Sequence, residues 1–184
     1  MLDIGARYQP YRALIESRVS RYVALDIEQT ELVDIVGNSE AIPFAGNQFD
    51  VAIATQTLEY CPNPQLAAQQ IHKTLKPGGV LFMSTVAFAP RFGDAQRWHF
   101  TPAGIRTILS SFKNVEIVAE TSSLGGIIRA LNLALHRYVH FRPIRKVYEW
   151  TLCPLLNMTG LALERLRVTN ADEFAPNYSV RAEK

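Results

Sequence analysis

A chain of 184 residues with 48% apolar and 20% charged side chains can bury one sizeable core, and its composition excludes a disordered or fibrous segment. A formal net charge of +2 gives no global attraction to nucleic acid, and two cysteines without disulfide or metal spacing, Cys61 and Cys153, fit a reducing compartment. The charge is uneven: residues 127–168 carry seven basic and two acidic side chains, whereas residues 1–126 carry ten and twelve.

The first apolar run, Leu2-Asp-Ile-Gly5, reads as a strand entering a glycine turn. Strand, glycine turn and helix together make a cradle. Backbone N–H groups at the helix start point at a ligand, and the glycine lets it approach the main chain. A short helix is expected from about Tyr11 to Ser17. A second strand, Tyr22 to Leu25, ends at Asp26. A carboxylate about twenty residues beyond the glycine is placed to accept hydrogen bonds from both hydroxyls of a ribose. The opening of the chain therefore points to an adenosine-containing cofactor. Gly5-Ala-Arg-Tyr-Gln-Pro10 lacks the second and third glycines of a dinucleotide fingerprint.

A third strand is expected over Leu32–Val36, after a gap too short for a full crossover helix. Asp50–Ala54 is a continuous apolar run of the kind buried on both faces of a sheet. Asn63-Pro64 then supplies an N-cap and a proline at the first helical position. Ala67, Ile71 and Leu75 mark the inner face of that helix, and Lys76-Pro-Gly-Gly79 stops it. Val80–Ser84 is the fifth strand. Thr101-Pro102 opens another capped helix, with Ile105, Ile108, Leu109 and Phe112 inward, and Val115–Ala119 is the sixth strand. Residues 127–168 read as helical, broken at Pro143 and Pro154, and Asn177–Ala182 alternates like a last strand. The uncharged run Trp150–Leu163 contains a proline and a glycine and is too short for a transmembrane helix. The alternation of strand and helix predicts an α/β fold with a parallel sheet and helices on both faces.

In this order, five pieces resemble the class I S-adenosylmethionine-dependent methyltransferases, and in particular the small bacterial type associated with modification of glycans or lipid-linked sugars. They are Leu2-Asp-Ile-Gly5, Tyr22–Asp26, Gly37-Asn-Ser-Glu-Ala-Ile-Pro-Phe44, Phe49–Glu59 and Leu75-Lys-Pro-Gly-Gly-Val-Leu81. The resemblance covers nearly the whole chain. It implies a single Rossmann-like domain over 1–184: a seven-stranded, mostly parallel sheet whose last strand is antiparallel. Residues 124–168 would form a helical cap inserted before that strand, and the helix that precedes strand one in the family has no counterpart here.

The implied cofactor is S-adenosylmethionine, held by Asp3, Gly5, Ala6, Arg7, Asp26, Ile27, Asn38, Ser39, Glu40, Thr55 and Gln56. Gly5 and the N–H groups after it would face the methionine carboxylate, and Asp26 would take the ribose hydroxyls. Asn38 would meet the adenine amino group, with the backbone around Ser39 and Glu40 serving the ring nitrogens. Thr55 and Gln56 would sit near the methionine amine. Three positions depart from the family: Arg7 replaces a second glycine, Asn38 an aspartate and Tyr60 a histidine.

Tyr60, Arg97 and Trp98 are expected at the acceptor. His99 is the candidate general base, since a free imidazole titrates near neutrality; the alternative is that this stretch only packs a loop onto the sheet. Asp94 is a weaker candidate. His136 and His140 have helical ligand spacing but no evident third partner, so no metal is expected.

The expected function is methyl transfer to a small or lipid-linked acceptor, in first place a sugar hydroxyl, in glycan biosynthesis. The competing reading is a catalytically degenerate binding or regulatory module. A nucleic-acid substrate is not expected, because Ala54-Thr-Gln-Thr57 lacks the Pro-Pro-aromatic motif of amino-methylating enzymes. The expected location is cytoplasmic. The basic and apolar side chains of residues 127–168 also fit peripheral contact with the inner membrane face.

Overall fold

A computed structural model describes residues 1–166 and 172–184. Seven strands form one sheet: β1 (Leu2–Ile4), β2 (Val23–Asp26), β3 (Ile35–Val36), β4 (Phe49–Thr55), β5 (Leu75–Val86), β6 (Lys113–Ala119) and β7 (Asn177–Glu183). Their order is β3-β2-β1-β4-β5-β7-β6. Pairings β1–β2, β1–β4, β2–β3 and β4–β5 are parallel, and β7 runs antiparallel to β5 and β6. The fold is the Rossmann-like α/β architecture expected from the motif order, with the antiparallel strand last in sequence.

The centre of the sheet is apolar on both faces. Leu2 and Ile4 of β1, Ala24 and Leu25 of β2, and Ala52 and Ala54 of β4 are all buried. Asp3 is the polar exception in β1. Burial pushes its carboxyl above the usual carboxylate range, and the Tyr22 hydroxyl, donating to Asp3 Oδ2, partly offsets that.

The helix signals are met where capping residues stand. In α2 (Pro64–Thr74) the Asn63 side chain accepts from the Leu66 N–H at 3.0 Å, and Ala67 and Ile71 are buried. In α3 (Pro102–Ile108) the Thr101 hydroxyl accepts from the Gly104 N–H at 3.2 Å. Three expected boundaries move. The first helix, α1, is only Arg12–Ile15 with a 3-10 turn after it, and neither buries a residue to hold a longer helix. Strand β3 shrinks to two residues because the Asp34 carboxylate takes the Ala24 N–H at 2.8 Å, a donor that a strand carbonyl would otherwise use. Leu75 belongs to β5, not to the helix: pairing with β4 jumps from Phe49–Leu75 to Val51–Val80. The Lys76–Gly79 turn is thus a bulge within the strand. Gly78 has φ +77°, and a Cβ on Gly79 would lie 2.9 Å from the Lys76 carbonyl oxygen.

The chain gathers into two compact units. One contains residues 1–85, 95–118 and 179–184, and the other 86–94 and 119–178. The second unit holds α4 (Ser123–Tyr138), α5 (Arg142–Trp150) and α6 (Leu152–Arg165), the helical segment expected before the last strand. Pro143 opens α5 as expected, whereas Pro154 sits in the first turn of α6, where a missing N–H costs nothing. Arg167, counted in the basic excess, lies outside the described residues.

Glu164 caps α4 by accepting from the Ser122 N–H at 2.9 Å and from the Thr121 and Ser122 hydroxyls. The three helices are joined by a polar chain. The buried Tyr148 hydroxyl donates to the Asn132 carbonyl oxygen at 2.7 Å, and Asn132 Nδ2 donates to Asn157 Oδ1 at 2.7 Å. Tyr148→Phe is expected to destabilise this unit by about 1–2 kcal/mol, read as an earlier midpoint in denaturant unfolding. An unchanged midpoint would show that the chain contributes nothing to stability.

Candidate functional site

The site is built at the carboxyl ends of β1, β2 and β4, where open α/β sheets hold ligands. Gly5 leaves β1 at φ +75°, a conformation glycine adopts without strain. A Cβ there would overlap Thr57 Oγ1 and lie 2.8 Å from Thr57 Cγ2. The close approach that demands glycine is therefore to Thr57, whose Oγ1 is 3.0 Å from the carbonyl oxygens of Ile4 and Thr55. Thr57 escaped the sequence reading because nothing local to it signals a neighbour on β1.

The N–H groups after the turn do not point into open space. Gly5 and Ala6 both donate to the Leu25 carbonyl oxygen, at 2.9 and 3.2 Å, and Arg7 N–H donates to Asp26 Oδ2 at 3.1 Å. No helix starts directly after Gly5 to supply further aligned donors, because α1 begins at Arg12. The expected anion cradle at Gly5–Arg7 is thus engaged with β2.

Asp26 is the centre of this arrangement. The residue is 8% exposed, with Oδ2 receiving Arg7 N–H and Oδ1 receiving Glu28 N–H at 2.9 Å. A carboxylate offers about four acceptor positions, so two bound donors fix its plane and leave capacity for two more. Ile27, next in the chain, is 70% exposed and offers an apolar face.

The Arg7 side chain turns to Glu28, with Nη2 to Oε2 at 2.7 Å, and its guanidinium lies over the Tyr8 ring at 5.3 Å. This ion pair closes the same two segments that hold Asp26. Glu28 could have been found as an acid two residues past the end of β2.

The Gly37–Phe44 loop forms a 3-10 turn over Ser39–Ala41, capped by Asn38, whose side-chain oxygen accepts from the Glu40 N–H at 2.9 Å. The Glu40 carboxylate accepts from the Asn63 N–H at 2.7 Å, tying the loop to the start of α2. Ser39 Oγ lies 3.2 Å from the sulfur of Cys61, a buried thiol whose pKa is pushed up by burial and which has no marks of an activated nucleophile.

At the exit of β4, Thr55 ends the strand and Gln56 takes φ +50°, a strained conformation for a non-glycine residue. Its N–H donates to the Ser84 carbonyl oxygen at 2.9 Å and its amide to Ser84 Oγ at 3.3 Å, so the side chain follows β5. Tyr60 follows in a 3-10 turn, with its hydroxyl pKa raised by partial burial and then by Glu59.

The segment expected at the acceptor is brought to this exit by its main chain. The Glu59 carbonyl oxygen accepts from the N–H groups of Arg97 (2.8 Å) and Trp98 (3.1 Å), and the Trp98 indole donates to the Cys61 carbonyl oxygen at 2.8 Å. Tyr60, Arg97 and Trp98 therefore belong to one neighbourhood, with His99 exposed beside them. Glu59 was not singled out in the sequence, because its role here lies in its carbonyl group. Among the described residues, no three metal-capable side chains gather.

A seven-stranded sheet of this order, with a buried acid closing β2 beside the first glycine turn, is the Rossmann-like architecture of the methyltransferase fold. Residues 2–83, a little under half of the chain, match the family described as Methyltransferase domain, a match that supports a class I S-adenosylmethionine-dependent methyltransferase with S-adenosylmethionine as its cofactor. It is 42% identical over 48 residues to the malonyl-[acyl-carrier protein] O-methyltransferase of Enterobacter lignolyticus, covering 26% of this chain and 19% of that protein. It is 38% identical over 64 residues to the ubiquinone biosynthesis O-methyltransferase of Actinobacillus pleuropneumoniae, covering 35% and 26%. The chain thus spans about a fifth to a quarter of these curated relatives. Among solved structures, phosphoethanolamine N-methyltransferase 2 of Haemonchus contortus in complex with S-adenosylmethionine shares the fold, with a TM-score of 0.62 at 15% identity over 100% of this chain and 48% of that one.

The residues present fit the nucleoside half of that cofactor: a fixed, buried carboxylate for a ribose, an apolar Ile27, and a capped loop at Asn38. The amino-acid half is less well provided, since the Gly5, Ala6 and Arg7 N–H groups already have partners.

Proposed function

We propose that this chain transfers a methyl group from S-adenosylmethionine to an oxygen of a small or lipid-linked acceptor, in first place a sugar hydroxyl. The observation that carries the reading is the Asp26 carboxylate, held by two N–H donors at the end of β2 with acceptor capacity to spare. The names of the two O-methyltransferase relatives support an oxygen acceptor. The sugar rests on the sequence resemblance alone.

The bound cofactor supplies a methyl group activated by its sulfonium for direct displacement. The protein's part is then alignment more than covalent chemistry. Asp26 fixes the ribose, while Asn38, Ser39 and Glu40 border the adenine. Asp3, buried in the middle of β1, and Thr55 and Gln56 at the exit of β4 would serve the methionine side. Tyr60, Arg97 and Trp98 seat the acceptor, and the His99 imidazole takes the proton of the attacking hydroxyl.

The engaged donors at Gly5–Arg7 favour a second reading, a module that keeps the fold and binds a nucleoside without turnover. Calorimetric titration of the folded protein with S-adenosylhomocysteine and with methylthioadenosine, which lacks the amino-acid carboxylate, bears on both. Both are expected to bind, with affinities within about fivefold of each other, because little engages the carboxylate. A carboxylate held by charge-assisted hydrogen bonds contributes roughly tenfold or more. No binding of either compound would sink the enzyme reading, and a hundredfold preference for S-adenosylhomocysteine would overturn the account of the Gly5–Arg7 turn. Methyl transfer to a hydroxyl acceptor from labelled cofactor separates the enzyme from the module.

A further inference from the structure

We propose that α5 and α6 form an interfacial surface that docks on an anionic lipid bilayer. A helix in a soluble domain normally turns its apolar stripe to the core and its charges to water. In α5 the apolar stripe is exposed to solvent together with the charges. Ile144, Val147 and Trp150 share one face and are 58%, 63% and 83% exposed, while Tyr148 is the only buried residue of the helix. The basic residues Arg142, Arg145 and Lys146 occupy the opposite arc.

Helix α6 continues the exposed apolar surface. None of its residues is buried, and Leu155, Met158 and Leu161 are all exposed, with Phe141 exposed at the start of α5. Single exposed apolar side chains are ordinary; a face of them across two successive helices marks an interaction surface.

Charge decides the occupant. Glu149 pairs with Arg145 at 2.9 Å, and among the described residues Arg142 and Lys146 of α5 have no ion-pair partner. The surrounding segment, residues 127–168, carries seven basic and two acidic side chains. A second copy of this chain would set like charges against each other. A bilayer with anionic headgroups matches both features, apolar side chains entering the acyl boundary and cations meeting phosphate. The helices lie in the plane of the surface and do not cross it. The 14 residues of α6 reach about 21 Å, short of a hydrocarbon core of about 30 Å. No helix among the described residues is long and apolar enough to span a membrane.

The test is co-sedimentation of the protein with vesicles of phosphatidylcholine alone and of phosphatidylcholine with 30% phosphatidylglycerol (a chosen composition, on the order of natural anionic content). It needs neither cofactor nor acceptor, so it stands apart from the methyl-transfer reading. Expected results are at least about tenfold stronger partition onto the anionic vesicles, lost at high salt, and about fivefold loss for each cation removed in Arg142→Gln and Lys146→Gln. Val147→Glu with Trp150→Glu should abolish partition while leaving the thermal melt unchanged, since both side chains are exposed. Equal weak partition onto both vesicles would overturn the proposal. So would full partition by the Val147→Glu, Trp150→Glu variant, or a protein dimer that the same pair disrupts.

Discussion

Gly5→Ala is expected to destabilise the protein by about 3 kcal/mol, the sum of a left-handed backbone carrying a side chain and an overlap with Thr57. The two parts can be separated. Thr57→Ala removes Oγ1 and Cγ2, the two atoms in the way, and leaves only its Cβ, 3.1 Å from the new methyl group. In the double variant the overlap is relieved, while roughly 1–2 kcal/mol of backbone strain remains. Unfolding midpoints for the wild type, both single variants and the double variant form a complete cycle. Coupling of about 1 kcal/mol or more is expected. Strict additivity would show that Thr57 yields freely and that the turn is held by backbone conformation alone.

Asp26→Ala has the second large effect, on affinity more than on stability. It removes the proposed ribose acceptor and also strips the backbone N–H groups of Arg7 and Glu28 of their carboxylate acceptor. Affinity for S-adenosylhomocysteine is expected to fall by on the order of a hundredfold, equivalent to about 3 kcal/mol. Asp26→Asn should fall between the two, because one oxygen remains an acceptor while the other becomes an N–H donor facing a backbone N–H. Calorimetry on folded variants reads this directly. Near-normal affinity in Asp26→Ala would move the nucleoside away from the end of β2.

How much of this was legible in the sequence depends on whether the signal is local. Asn63 and Thr101 announced their helices because a cap acts on residues two or three positions away. The apolar run of β4 announced a central strand, and the mostly parallel sheet with an antiparallel last strand followed from the resemblance that the motifs carry. The turn at Gly5 was recognised, but its function was only half read. Gly5, Ala6 and Arg7 find their acceptors on Leu25 and Asp26, about twenty residues along the chain, and spacing alone does not say which N–H group is taken. Arg7 was legible as a departure from the family, whereas its turn toward Glu28 depends on how two strand exits converge. Asp34 shortened β3 through its side chain in a stretch whose apolar pattern read as strand. The exposed stripe on α5 was legible as an excess of basic and apolar residues, but its outward direction is a property of packing.

The attachment of Arg97 and Trp98 through their own N–H groups to the Glu59 carbonyl has a practical consequence. Main-chain anchoring is indifferent to the side chain carried, so residue 97 can be randomised without displacing the segment. On the proposed acceptor role of Arg97, a library at position 97 that keeps His99 and the Trp98 indole bond to Cys61 would therefore vary acceptor preference on a constant scaffold. The architecture separates what must be conserved for placement from what is free to diversify, and an engineer can exploit that division.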